Sequence, residues 1–202
     1  MTEVPAVASF APPGDDLADL MHPGLIDRRS RDAAELEGMA CAYDKYVFRS
    51  KRKTPGTGWL TNTMVRRVHG DMFGDIWRWA GKYRTDYWAV GVEPHLIPEE
   101  INVLCREFAS WDDPLSSMPV LEVAARLQNR LTRIHAFKSG NGRHACLMTD
   151  IYLYSRKHPI PMWPQFDAME NGDKLREQYI VAMIRADEDN YEDLMKFIGQ
   201  LL

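Results

Sequence analysis

The sequence predicts an all-α fold carrying one small β-hairpin, and three observations lead there. Apolar residues recur at three- and four-residue spacing in seven separate segments, the period of a helix face turned to a core. A single stretch, TDYWAVGVEPHLIP at 85–98, combines aromatic and β-branched residues with a central Gly and Pro, which favours two short strands over a helix. The chain has 202 residues, 45% hydrophobic and 27% charged, enough for one full-sized domain or at most two small ones. That balance excludes a disordered polyelectrolyte, a collagen-like fibre and a membrane bundle. No run approaches ~20 apolar residues, so nothing is expected to span a bilayer.

Residues 1–25, rich in Ala and Pro and without sustained periodicity, read as a tail, flexible or docked at the periphery; residues 26–202 read as the domain. Ser30 is placed to cap a first helix, about 30–48, whose apolar stripe is Leu36, Met39 or Ala40, Tyr43 and Val47. The run SKRKTPGTG at 50–58 is a basic loop. A second helix turns Met64, Val65, Val68 and Met72 inward. After the hairpin, Pro98 suits the first turn of a helix with Ile101, Leu104, Phe108 and Trp111 on one face.

Ser117 and Pro119 open the next helix, lined by Val120, Ala124, Leu127, Leu131 and Ile134. A turn, AFKSGNG, separates it from a segment at about 143–156 whose apolar residues go most of the way round. That pattern marks a central helix packed on several sides. HPIPMWP breaks the chain, and two amphipathic helices close it, around 174–185 and 191–202, the last capped by Asn190. No internal repeat is visible.

Charge and cysteines narrow the function. Lys and Arg total 25 against 29 Asp and Glu, a net −4, so no surplus of cations is available for phosphate backbones and no nucleic-acid partner is expected. Cys41, Cys105 and Cys146 are too few and too scattered for a disulfide framework, and no CxxC or HExxH suggests zinc. MTEVPAVASFAPPGDD lacks the basic and apolar regions of an export signal, so the expected compartment is the cytoplasm.

The chemistry is expected in His135-Ala136-Phe137-Lys138-Ser139-Gly140-Asn141-Gly142-Arg143. Gly140 and Gly142 permit positive φ and a close approach of backbone to ligand. The amides of the helix that follows, with its dipole, form an anion site, and Arg143 adds a fork of charged donors suited to phosphate. His135 stands across the turn as a base for neutral pH. Cys146 reads as a small core residue rather than a nucleophile.

This stretch resembles the signature of the Fic family, His-x-Phe-x-Asp/Glu-Gly-Asn-Gly-Arg-x-x-Arg. The run Phe73-Gly74-Asp75-Ile76-Trp77-Arg78-Trp79-Ala80-Gly81-Lys82-Tyr83-Arg84 looks like the segment preceding that family's target-binding flap. The likeness spans roughly 30–200, and within the family it is greatest to a small bacterial subgroup known as mobile mystery protein B. The resemblance implies a Fic-type helical domain that transfers AMP from ATP to a hydroxyl side chain of a target protein. By position, His135 is the base, Phe137 anchors the loop in the core, and Gly140, Asn141 and Gly142 cradle the phosphates beside Arg143. The hairpin at 85–97 is then the flap that holds the target by strand addition.

Two departures qualify that reading. Ser139 stands where the family has the acidic residue that helps hold Mg²⁺. The resemblance implies ATP as donor and Mg²⁺ as cofactor, here without a protein carboxylate, so that either phosphates and water hold the metal or the chemistry has changed. Cys146 replaces the family's second Arg. The alternative is a non-catalytic or altered-chemistry interaction module. The resemblance also implies a regulator, either a separate antitoxin or an inhibitory helix of pattern Ser/Thr-x-x-x-Glu-Gly/Asn. Glu37-Gly38 in the first helix looks like the second half of that pattern, although Ala33 holds the Ser/Thr place.

Overall fold

A computed structural model describes residues 17–25, 27–49, 58–164 and 173–202. Residues 50–57 of the basic loop expected at 50–58 and most of the tail expected at 1–25 lie outside them. Seven α-helices are present among the described residues: α1 (Arg28–Tyr43), α2 (Asn62–Phe73), α3 (Ile97–Trp111), α4 (Val120–Ile134), α5 (Asn141–Ser155), α6 (Lys174–Asp187) and α7 (Glu192–Gln200). Each of the seven periodic segments is a helix, and the all-α class holds.

α5 buries twelve of its fifteen residues, the central position its all-round apolar pattern implies. α4 packs along it and also meets α3, α6 and α7, while α2 bridges α1, α3 and α5. The main core gathers Val65, Phe73, Ile101, Phe108, Leu127, Phe137, Leu147 and Tyr152. Each such side chain contributes roughly 1.5–3 kcal/mol on burial. A second cluster, with Ala125, Ala182, Leu194 and Ile198, fixes α6 and α7 onto the back of α4.

Helix ends differ from expectation where a stronger acceptor lies nearby. α1 is capped by Asp27, not Ser30: the Asp27 carboxylate accepts from both the Ser30 amide (2.8 Å) and the Ser30 hydroxyl (2.6 Å). A charged acceptor outcompetes a hydroxyl at an N-terminus. α1 then runs into a π-helical turn, Asp44–Phe48. α5 begins two residues earlier than read, at Asn141, behind an N-cap Gly140 with φ 74°. At α7 the N-cap is Tyr191, and Asn190 accepts from the Glu192 amide (3.2 Å) one step outside the helix.

The hairpin expected at 85–97 is absent. The strand-like pairing near it is one isolated bridge, Tyr83 with Phe137, and residues 94–96 already form a 3₁₀ turn leading into α3. The reason is local. Gly91 turns the chain at φ 87°, and the carbonyls of Asp86 and Val92, which a hairpin would pair with amides, accept instead from the Arg84 guanidinium. The β-branched and aromatic residues there belong to a loop pinned by one side chain. Upstream, residues 17–25 dock on the α2–α3 connection: the Met21 amide donates to the Ile76 carbonyl (2.8 Å) and the Arg78 amide to the Asp19 carbonyl (3.0 Å).

Candidate active site

The site grows from the bend between α4 and α5. α4 ends at His135, whose backbone is left-handed (φ 51°, ψ 57°), an uncommon conformation for a residue with a Cβ. The chain then passes inward through Ala136 and Phe137. The Phe137 ring stacks on His69 at 3.7 Å and meets His144 edge-on at 5.1 Å. Asn141 closes the bend: its Oδ1 accepts from the Phe137 amide (2.9 Å) and its Nδ2 donates to the Phe137 carbonyl (2.7 Å). One side-chain amide therefore replaces a backbone partner for both polar groups of a buried residue.

His69, unforeseen from the sequence, holds the other side of the loop. Its Nδ1 accepts from the Gly81 amide (3.0 Å), so its proton is on Nε2, which donates to the Ser139 carbonyl (3.0 Å). Burial drives its pKa well below the usual histidine value, so the ring stays neutral. His144 is likewise held at about 4 by burial, with its Nε2 on the Val65 carbonyl (3.0 Å). The signal for His69 was its place on the same inward face as Val65 and Met72.

His135 lies under the flap and is only 8% exposed. Trp88 meets its ring edge-on at 5.7 Å, and a Cβ on Gly91 would fall 2.6 Å from the His135 Cβ. Burial first, and the Arg84 cation second, lower its pKa to about 4, so the imidazole is neutral and able to accept a proton at pH 7. Gly140 and Gly142 play different parts. Gly140 needs its positive φ and touches Phe73, whereas Gly142 faces open space. The first-turn amides of α5 and its dipole present positive character there.

Arg143 points from that turn toward α1, where its Nη1 lies 2.5 Å from Glu35 Oε2. Glu35 also accepts from Trp77 Nε1 (2.6 Å), and its side chain is 13% exposed. Glu37, the carboxylate expected to approach the loop, is exposed instead. Two residues along a helix are rotated by about 200°, so Glu35 and Glu37 face opposite ways. Lys138 pairs with Asp19 (2.6 Å) of the docked segment. Hence, among the described residues, Asp19 and Glu35 reach the loop already matched to cations.

These residues do not fit a metal site. Ser139 offers at best a neutral hydroxyl, Asp19 and Glu35 are engaged, and among the described residues no three His, Cys, Asp or Glu side chains converge. Cys146 is buried one turn into α5, with the Gln128 amide 3.5 Å from its sulfur. Deeper lies Asp150, raised to about 7 by burial, accepting from Tyr43 (2.6 Å) and Trp163 (2.9 Å). A lone acid on a helix apolar all round was its signal in the sequence.

A bend built from His135, Phe137, Asn141 and Arg143, behind a Trp-Ala-Gly turn tied to it by His69, is matched by a known pattern. Residues 59–153 match the Fic/DOC family. They are a Fic/DOC-family segment. In fold, the chain is similar to Fic-1 from C. elegans, with a TM-score of 0.65 and 20% identity, covering 85% of this chain and 48% of that one. It is similar also to the BepC protein from Bartonella tribocorum with bound AMPPNP (TM-score 0.60, 16% identity, 88% and 89% covered). A third is the N-terminal Fic domain of a Bartonella quintana effector with bound ADP (0.61, 17%, 89% and 87%). The chain spans about half the length of the Fic-1 chain it matches. No helix among the described residues is long and apolar enough to cross a membrane.

Proposed function

We propose that this chain is a cytoplasmic protein nucleotidyltransferase that moves AMP from ATP onto a hydroxyl side chain of a target protein, and that α1 restrains it. The observation that carries the reading is a neutral His135 at one end of a bend whose other end is a helix N-terminus bearing Arg143. The Fic-fold neighbours with AMPPNP and ADP bound support a nucleotide as the ligand. In the proposed step the target hydroxyl passes its proton to the His135 imidazole, and its oxygen attacks the α-phosphorus. The bond from that phosphorus to the bridging oxygen breaks, and pyrophosphate departs. The first-turn amides of α5 and Arg143 stabilise the charge on the phosphate oxygens. Because no carboxylate among the described residues suits a metal, no step is routed through Mg²⁺.

Glu35 enters as the restraint. Phosphate binding at Arg143 must displace a carboxylate held by two partners, so α1 acts on the site as a separate antitoxin otherwise would. The test incubates the chain and its Glu35→Gln variant with labelled ATP and a lysate, with His135→Ala as control. The expected result is His135-dependent protein labelling, at least ~10-fold stronger in Glu35→Gln, the effect of losing about 1.4 kcal/mol of competition. No His135-dependent labelling from ATP by either form overturns it. The second reading, a non-catalytic interaction module, is favoured by Ser139 and Cys146. It requires that Glu35→Gln bind no ATP in calorimetry.

A further inference from the structure

Arg84 is the most unusual buried group outside the loop. It sits on the α2–α3 connection, 4% exposed, in no ion pair among the described residues. Its donors go to backbone carbonyls: Nε to His135 (2.7 Å), Nη1 to Asp86 (2.8 Å) and Nη2 to Val92. The guanidinium lies 5.6 Å from the centre of the Trp88 ring, which itself meets the His135 imidazole. Its own amide donates to the Ala136 carbonyl (2.9 Å). A buried cation is costly unless its donors are satisfied, so this geometry is strongly specified.

We propose that Arg84 is a positioning residue for the base: one planar fork ties both ends of the 86–92 flap to the His135 carbonyl, so flap and imidazole are set as one unit. Three features converge on this. The His135 carbonyl belongs to a left-handed residue whose strain needs an external partner, and Arg84 Nε is that partner. The carbonyls of Asp86 and Val92 bracket the flap, so their shared donor fixes its span. A Cβ at Gly91 would lie 2.7 Å from Arg84 Nη2 and 3.0 Å from the Ile134 carbonyl, so the bare backbone of the flap packs directly against the guanidinium and the end of α4. A target segment laid on this flap is thereby placed relative to the base before it binds. A lysine cannot reproduce this, because a point charge on a flexible stem cannot serve three carbonyls in one plane.

The inference rests on the reading of His135 as base, but its test reads the chain directly and needs no labelled target. Arg84→Lys and Arg84→Gln are compared with the unaltered chain by NMR at fixed neutral pH. In both variants the Val92 amide, which donates to the Ile134 carbonyl (3.3 Å), is expected to exchange with solvent at least ~10-fold faster. The His135 ring signals are expected to move, while amides in α5 such as Leu147 keep their protection. Rescue of both readouts by Lys, or an unmoved Val92 amide, overturns the proposal. So does equal loss at Leu147, which reports general destabilisation. Should neither variant fold, the Arg84 Nε proton of the unaltered chain decides. Slow exchange at a shifted position is expected, and rapid averaging with the surface arginines overturns the assignment.

Discussion

Gly140 and Gly142 sit two residues apart in the same turn and answer to different physics. At Gly140 the backbone is at φ 74°, and a Cβ would fall 2.6 Å from Phe73 Cε2, a core ring that cannot withdraw. Gly140→Ala combines left-handed strain with overpacking and is expected to cost about 3 kcal/mol in urea unfolding. At Gly142 nothing lies within 4 Å of such a Cβ and φ is not positive. Gly142→Ala should leave stability unchanged or raise it by up to ~1 kcal/mol, since alanine suits a first helical turn better. Its effect belongs to ligand approach, so ATP affinity should fall while the unfolding midpoint does not. A midpoint that drops equally for both variants sinks the distinction. The sequence marks both glycines but cannot divide them, because strain depends on Phe73, which arrives from another helix. The same limit hides Glu35: spacing selects a helix face only once the partner Arg143 has been located.

At the scale of elements, the bend between α4 and α5 is held by side chains imitating backbone. Asn141 both accepts from and donates to Phe137, and Asn141→Asp keeps the acceptor while removing the donor and burying a charge. The variant is expected to lose about 2–3 kcal/mol at pH 7, more than an exposed Asn→Asp change, with partial recovery on acidification as the carboxyl takes a proton. Equal stability at pH 7 and pH 5 contradicts that account. Helices were legible because their signal is local: each repeats its apolar stripe within its own residues. The flap was misread for the converse reason. Its composition suits strands, yet its conformation is decided by Arg84, whose reach to Asp86, Val92 and His135 leaves no periodic trace. A buried arginine that serves carbonyls looks, in sequence, like any solvated one.

Over the whole molecule, the buried titratable groups set opposing slopes of stability against pH. His135 and His144 are held at about 4, and His69 also lies well below its ordinary value, so all three are neutral when folded. Unfolded, each titrates near 6.5. Below that pH the unfolded chain takes up protons the folded chain refuses, and stability present above 6.5 is lost as pH falls toward 4. A shift of that size corresponds to about 3 kcal/mol for each of His135 and His144. Asp150 works the other way: raised to about 7 from an unfolded value of 3.8, it weakens the fold as pH climbs between the two, by about 4 kcal/mol at most. Three histidines outweigh one carboxyl at pH 6, whereas near pH 8 neither class takes up protons on unfolding. Urea-derived stability is therefore expected to be level above about pH 7.5 and to decline below 6.5. Asp150→Asn isolates the opposing slope. It keeps an acceptor for Tyr43 or Trp163 without the buried charge, so it should gain most over the unaltered chain at pH 8 and converge with it near pH 4. Stability that holds constant from pH 8 to pH 5, or an Asp150→Asn gain independent of pH, would show that these imidazoles and this carboxyl are not buried together as described.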